Sequence, residues 1–180
     1  IKTINKQIKL IEKLVNEFSD FARMPKPIFK KNELNKIIKD SINLMKTNDR
    51  DIVINFNTEE VHYVNSDTEQ LNRVFINLLK NSIESLKEKH QKIGDFKKKI
   101  DVEIQLINDY ISIVVQDNGT GFTNNDLKTL SKPYFTTKKE GSGLGLSIVE
   151  KILNDHNGFI EFISQKEGAK IKILLPKYVN

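Results

Sequence analysis

The sequence predicts an α/β (α+β) two-layer sandwich with a mixed, mostly antiparallel sheet. Three observations predict it. Apolar residues recur with helical spacing in some segments and alternate with period two in others, so both kinds of element are present. The helical and the strand segments segregate instead of alternating as repeated βαβ units, which argues against an all-parallel sheet. And two alternating runs, "IDVEIQLI" and "YISIVVQD", are joined by Asn108-Asp109, a good two-residue hairpin turn that makes them antiparallel neighbours.

Taken in order, the first element is a helix. Ile1, Ile4, Ile8, Ile11, Val15 and Phe18 repeat in three-four alternation as far as Ala22, a heptad seam that needs a partner helix. Pro25 and Pro27 in "ARMPKP" forbid its continuation. It reads as the second arm of a helical hairpin; a helix packing on its own domain is the alternative. Leu34, Ile37, Ile38, Ile42 and Met45 then mark an amphipathic helix, with Asn32 placed to cap it. "DIVINFN" reads as a strand and "VHYV" as a short one. The longest helix begins at "NSDTEQ", where Ser66 with Glu69, or Asp67 with Gln70, forms a capping box, and its stripe is Leu71, Val74, Phe75, Leu78, Leu79, Ile83 and Leu86. The hairpin strands follow, then a polar, irregular stretch from Gly119 to Ser142. A helix starting near Gly143 is marked by Leu144, Leu146, Ile148, Val149, Ile152 and Leu153, and "GFIEFIS" and "AKIKILLP" close the chain as strands.

At 180 residues the chain holds one domain with a real core and an appendage, not two large domains. It has no cysteine, which excludes disulfides and thiolate metal sites. No run approaches a membrane span, the N-terminus lacks the apolar core of a signal peptide, and a start at Ile in place of Met suggests a fragment of something longer. The net charge is +5, but the lysines are scattered among acids and the richest cluster, "EKHQKIGDFKKK", has little aromatic interleaving. It reads as a solvated loop, and no nucleic-acid partner is expected.

Three features bear on chemistry. In "KKEGSGLGLSIVEKIL", Gly141, Gly143 and Gly145 stand immediately before a helix, where uncovered amides and the helix dipole favour an anion. Neither the Walker loop nor the dinucleotide GxGxxG fits, so a different phosphate loop and a plain hinge both remain open. Asn77 and Asn81 lie one turn apart at the border of the long helix's stripe. Their amide oxygens suit Mg²⁺, an ion held by few protein groups, although two solvated asparagines would look the same. Asp117 falls on the inward face of "YISIVVQD" with Ile111, Ile113 and Val115, ahead of Asn118-Gly119-Thr120-Gly121. A carboxylate there would accept from an exocyclic amino group such as that of adenine; an ordinary Asp-Asn-Gly turn is the alternative.

The order "NLLKNSIESL", "DNGTGF", "PYFTTK", "GSGLGLSIV" resembles, box by box, the ATP-binding domain of sensor histidine kinases, within the superfamily shared with gyrase, HSP90 and MutL. The resemblance covers nearly the whole chain. "EFSDFARMPKP" is similar to the end of the dimerisation hairpin in nitrogen-regulation kinases of the NtrY and NtrB type. It implies a Bergerat fold over residues 31–180, an ATP lid over 122–142, a linker over 25–30, and the last part of a dimerisation helix over 1–24. The implied cofactors are ATP and Mg²⁺. Asp117 would accept the adenine amino hydrogen, with Gly119 and Gly121 shaping the pocket. Asn81 would ligate the metal, and Asn77 would sit beside it near the phosphates. Ser142 and Leu144 with Gly141, Gly143 and Gly145 would cover the phosphates, with Thr136 and Thr137 in the lid beside Phe135 as aromatic anchor. Lys138 is the candidate for the terminal phosphate, and counts with Asn77 as catalytic.

The resemblance further implies phosphoryl transfer to a histidine on a dimerisation hairpin of the same or a partner protomer, then to a response-regulator receiver aspartate. The parent would be a homodimer, and this part of it a cytoplasmic domain of a protein that can be anchored in the cell membrane. The family's hydrolases and protein serine kinases carry glutamate where Asn77 stands, and a neutral amide cannot serve as that base. Many histidine kinases have lysine where this chain has Glu84, which shifts phosphate neutralisation toward Mg²⁺ and the lid. None of His62, His90 or His156 has the setting of an acceptor, so the acceptor is expected outside these 180 residues. The rival readings are a non-catalytic nucleotide-binding scaffold and an ATPase of the same superfamily.

Overall fold

The computed structural model describes residues 4–179, apart from 6–7, 9–10, 13–14, 17, 20–21, 47–50, 59, 123–126, 128 and 137–141. Its elements run β1 (Lys30–Glu33), α1 (Leu34–Lys46), β2 (Ile52–Asn57), β3 (Tyr63–Ser66), α2 (Thr68–Ile93), β4 (Lys98–Ile107), β5 (Tyr110–Asp117), α3 (Gly145–Asp155), β6 (Phe159–Ser164) and β7 (Ala169–Pro176). Five strands form one sheet in the order β2-β4-β5-β7-β6. Only β2 and β4 pair in parallel; the other three pairings are antiparallel. The mixed, mostly antiparallel sheet is therefore as expected, and Asn108 takes the positive φ of 55° that a tight β4–β5 turn asks of its residues.

Period-two alternation decides which face is covered. Ile100, Val102 and Ile104 of β4, Ile111, Ile113 and Val115 of β5, and Ile171, Ile173 and Leu175 of β7 are all buried. The stripe of α2 meets this layer with Leu71, Val74, Phe75, Leu78, Leu79 and Leu86, none more than 2% exposed. Ile37, Ile38 and Ile42 of α1 and Ile148, Val149, Ile152 and Leu153 of α3 complete the core. Each such side chain contributes about 1.5–3 kcal/mol on burial, so the long helix is held mainly by this stripe.

Three expectations need correction. The run "VHYV" gives a strand two residues later, and β3 does not join the main sheet; it pairs antiparallel with β1, an element with no period-two signal. Asn32 does not cap α1. It sits in β1, and its Nδ2 donates to the Ser66 carbonyl at 2.7 Å, an alternative that asparagine always offers to capping. The capping box is half formed: Asp67 accepts from the Gln70 N–H, but Gln70 Nε2 donates to the Pro25 carbonyl, and the Asp67 N–H goes to His156 Nε2.

That last bond belongs to a buried junction. His156 lies edge-on to Phe29 with ring centroids 5.1 Å apart, its Nδ1 is 2.8 Å from the Ile152 carbonyl, and the Asp67 carboxylate accepts from Ile28 N–H. Nδ1 must donate and Nε2 accept, so the ring is neutral. Burial pulls the His156 pKa below its ordinary 6.5. Burial also pushes the Asp67 carboxyl up, but the N–H groups of Ile28, Gln70 and Glu69 outweigh it and hold the carboxyl below its ordinary value. Unfolded, the imidazole binds its proton at a higher pH than it does folded, so the unfolded chain holds more protons just below 6.5 and stability falls as pH falls through that window. Chemical denaturation as a function of pH should show this acid slope below about 6.5 in the wild type, and a flatter one in His156→Gln.

Ahead of the sheet, Ile4, Ile8, Ile11, Val15 and Phe18 are helical and 50–62% exposed, so the described part of the heptad seam faces outward. Ile1 of that seam lies outside the described residues. Among the described residues no helix is long and apolar enough to cross a membrane.

Candidate functional site

Polar residues on α2 organise the site. Asn77, Asn81, Ser85 and Lys89 follow one another at intervals of four, which puts them along one edge of the helix beside its apolar stripe. Asn77 and Asn81 are half-buried, and Asn77 Nδ2 donates to the Arg73 carbonyl one turn back at 2.9 Å, leaving its oxygen turned from the helix backbone. The start of α3 faces that oxygen: a methyl built on Gly145 would lie 3.3 Å from Asn77 Oδ1.

Asp117 ends β5 on the inward face, 5% exposed, with the alternation that the sequence shows. Its Oδ1 accepts the N–H of Gly119 at 2.9 Å and of Ala169 at 3.3 Å, so the carboxylate is held from its own turn and from the β6–β7 hairpin. Asn118 extends the pairing with β4, accepting the Lys99 N–H on Oδ1 and donating to the Lys97 carbonyl. Gly119 packs so closely on α2 that a Cβ would collide with Ser85 Oγ, while Ser85 Oγ also accepts the Thr120 N–H. Gly121 presses on the hairpin, where a Cβ would come within 2.6 Å of the Gly168 carbonyl.

At the other end of the stripe, α3 begins at Gly145 with no side-chain cap. Just ahead of it, Ser142 Oγ accepts the Leu144 N–H at 3.3 Å. Gly143 has φ +69° and accepts the Tyr134 N–H on its carbonyl at 3.0 Å, fastening "PYF" to the glycine segment. A methyl on Gly143 would lie 2.5 Å from the Tyr134 carbonyl carbon. Gly143→Ala should therefore cost about 1–2 kcal/mol of left-handed strain and push Tyr134 and Phe135 away. Thermal denaturation of the variant beside wild type checks this. Phe135 is half-buried and Thr136 exposed; Thr137, Lys138 and Gly141 lie outside the described residues.

The structure thus brings Gly119, held by Asp117, to Ser85 and Gly145 to Asn77 along one helix edge, and sets Gly121 against the hairpin at Gly168 and Gly143 against Tyr134 and Phe135. Sequence reasoning missed Ser85, Lys89 and the hairpin around Gly168. The interval of four already picked out in Asn77 and Asn81 continues to both α2 residues, whereas nothing local marks the hairpin. The "EKHQKIGDFKKK" cluster is also corrected: it is not one loop, since the long helix, its stripe buried as far as Leu86 two residues ahead of the cluster, runs on to Ile93 and β4 takes the last lysines. Among the described residues no group of three His, Cys, Asp or Glu side chains could hold a metal. The donor set fits an ion that takes one neutral protein oxygen and completes its shell with phosphate and water. A cavity of about 330 Å³ beside α3, lined by Ser131, Pro133, Ser147, Glu150 and Lys151 among others, contains none of these residues.

A turn that clamps a buried carboxylate over a helix bearing two asparagines, with a glycine segment at the far end, defines a class of nucleotide-binding domain. Residues 66–179 match the family of histidine kinase-, DNA gyrase B- and HSP90-like ATPases, and the chain belongs to it. An NtrY-like sensor histidine kinase of Rickettsia conorii is 36% identical over 176 residues, 96% of this chain and 28% of that protein. The chain therefore spans little more than a quarter of that relative. The catalytic domain of histidine kinase ThkA superposes with a TM-score of 0.73 at 27% identity, over 83% of this chain and 96% of that one. The same kinase in complex with the response regulator TrrA gives a TM-score of 0.76 at 24% identity, over 99% of this chain and 50% of that one.

Proposed function

We propose that the chain is the ATP-binding catalytic portion of a two-component sensor histidine kinase, and that it delivers the γ-phosphoryl group to a histidine on a dimerisation hairpin. One observation carries the reading: Gly145 and Gly119 approach the same edge of α2 at Asn77 and at Ser85, spacing a phosphate segment and a base-binding turn along one rigid rod. In this reading Asp117 accepts the adenine amino hydrogen, and Gly119 and Gly121, pressed on Ser85 and on the hairpin, shape the pocket for the base. Gly143, Leu144 and Gly145, with Ser142, cover the phosphates. Phe135 and Thr136 belong to the lid, with Thr137, Lys138 and Gly141. Asn81 ligates Mg²⁺, which when bound neutralises phosphate charge.

Asn77 decides between chemistries. Its amide has no site to take a proton from water, so it does not support base-catalysed hydrolysis. A neutral imidazole nitrogen needs no such base: the N–P bond forms as the bond from phosphorus to the β,γ-bridging oxygen breaks, and ADP leaves. The chain's own histidines are poor acceptors. His62 and His156 are buried, and His90 faces the Gly94 carbonyl and Asp95 at the end of α2. The exposed seam from Ile4 to Phe18 suits the second arm of a hairpin whose first arm carries the acceptor. In the parent, that hairpin would make a homodimer, a receiver aspartate would take the phosphate onward, and the domain would lie on the cytoplasmic side of an anchored protein.

The test is phosphoryl transfer from γ-labelled ATP to a purified NtrY-type hairpin carrying its acceptor histidine. Acid-labile, base-stable label on the hairpin is expected, with negligible steady-state ATP hydrolysis. Nucleotide binding with no transfer would favour the scaffold, and rapid hydrolysis the ATPase.

A further inference from the structure

We infer that Lys89 is a positioning residue for the adenine-side turn: from the far end of the α2 edge it clasps Asn118 to the β6–β7 hairpin and thereby aims Asp117. The inference rests on the reading of Asp117 as the adenine acceptor. The Lys89 ammonium donates to the Asn118 carbonyl at 2.7 Å, pairs with Glu167, and lies 4.9 Å from the centre of the Phe96 ring. Its side chain is only 15% exposed, whereas that of Glu167 is 66% exposed. An ammonium withdrawn from water to this extent must be compensated by its partners, and here both acceptors belong to segments that touch Asp117.

The two segments are far apart in sequence. Asn118 directly follows Asp117. Glu167 precedes Gly168 and Ala169, and the Ala169 N–H holds Asp117 Oδ1. Gly168 has φ +73°, and its backbone is packed so closely on the Asp117 carbonyl that a Cβ would overlap it. The carboxylate direction therefore depends on turn and hairpin keeping their spacing, and Lys89 bridges them. Lys89 stands eight residues after Asn81, a rise of about 12 Å, so the clasp also fixes the base end of the site relative to the metal end on one helix.

A clasp that only stabilised the fold would weaken all nucleotides alike, whereas one that aims Asp117 acts through the exocyclic amino group. The experiment compares ATP with purine riboside triphosphate, which lacks that group, on wild type, Lys89→Met, Lys89→Arg and Asp117→Asn. Lys89→Met keeps the packing on Phe96 and removes both polar bonds. It is expected to lose about tenfold in ATP affinity and less than about twofold for the analogue, and Lys89→Arg should restore ATP to within about threefold. Equal losses for both nucleotides, or none, would overturn the role of Lys89 while wild type still prefers ATP. A wild type without that preference would overturn the reading of Asp117 and the inference with it. If Lys89→Met does not fold, Glu167→Ala removes the acceptor and opens the clasp from its exposed side, and should reproduce the same selective loss in smaller degree; an unselective loss or none there counts against the inference.

Discussion

Asp117→Asn is expected to weaken ATP binding by about ten- to a hundredfold, the loss of one hydrogen bond to a charged acceptor made worse by a mismatch. Asp117 Oδ1 already accepts from Gly119 and Ala169, and an asparagine at this position can keep its amide oxygen there. Its NH₂ must then take the place of the second carboxylate oxygen. That group is a donor, and in the proposed pose it meets the amino group of adenine, also a donor. Asn is close to Asp in size, so β5 and its packing should persist, and melting temperature should change little. Displacement of a fluorescent ATP analogue reads the effect. Unchanged affinity in a folded variant would remove Asp117 from the site.

Asn81→Ala has the largest expected effect on chemistry. Phosphoryl transfer to a supplied hairpin should fall about a hundredfold, the scale on which one group stabilising transferred charge acts. ADP binding without Mg²⁺ should stay within about threefold of wild type, because the base end of the site lies elsewhere on α2. Alanine is a better helix former than asparagine, so α2 should survive. Transfer rates and ADP titrations with and without Mg²⁺ check both halves. An equal loss of Mg²⁺-free ADP binding would make Asn81 a packing residue and not a metal ligand.

Much of this geometry is legible in the sequence, for reasons that differ by element. The α2 stripe is legible because one buried face fixes the period of Leu71 to Leu86. Asp117 is legible because a strand's alternation continues to its last residue, and the β4–β5 pairing because Asn108 accepts a positive φ. The β1–β3 ribbon is not. Its first strand is "KKNE", and its pairing joins residues such as Lys30 and Ser66 across the whole of α1 and β2. Asn32 is misread for a related reason: a side chain that can cap a helix can equally bridge two strands, and only the tertiary partner, Ser66, decides. In the same way His156, distant in sequence, takes the Asp67 N–H that a capping box would have used. Lys89 shows the limit of charge patterning. In a run of lysines it looks solvated, yet a turn and a hairpin converge on it.

The account stands most directly on a calorimetric titration of ATP into the folded chain, with and without Mg²⁺. It predicts one nucleotide bound per chain, with binding strengthened by Mg²⁺. A folded chain that takes up no ATP under either condition would contradict it.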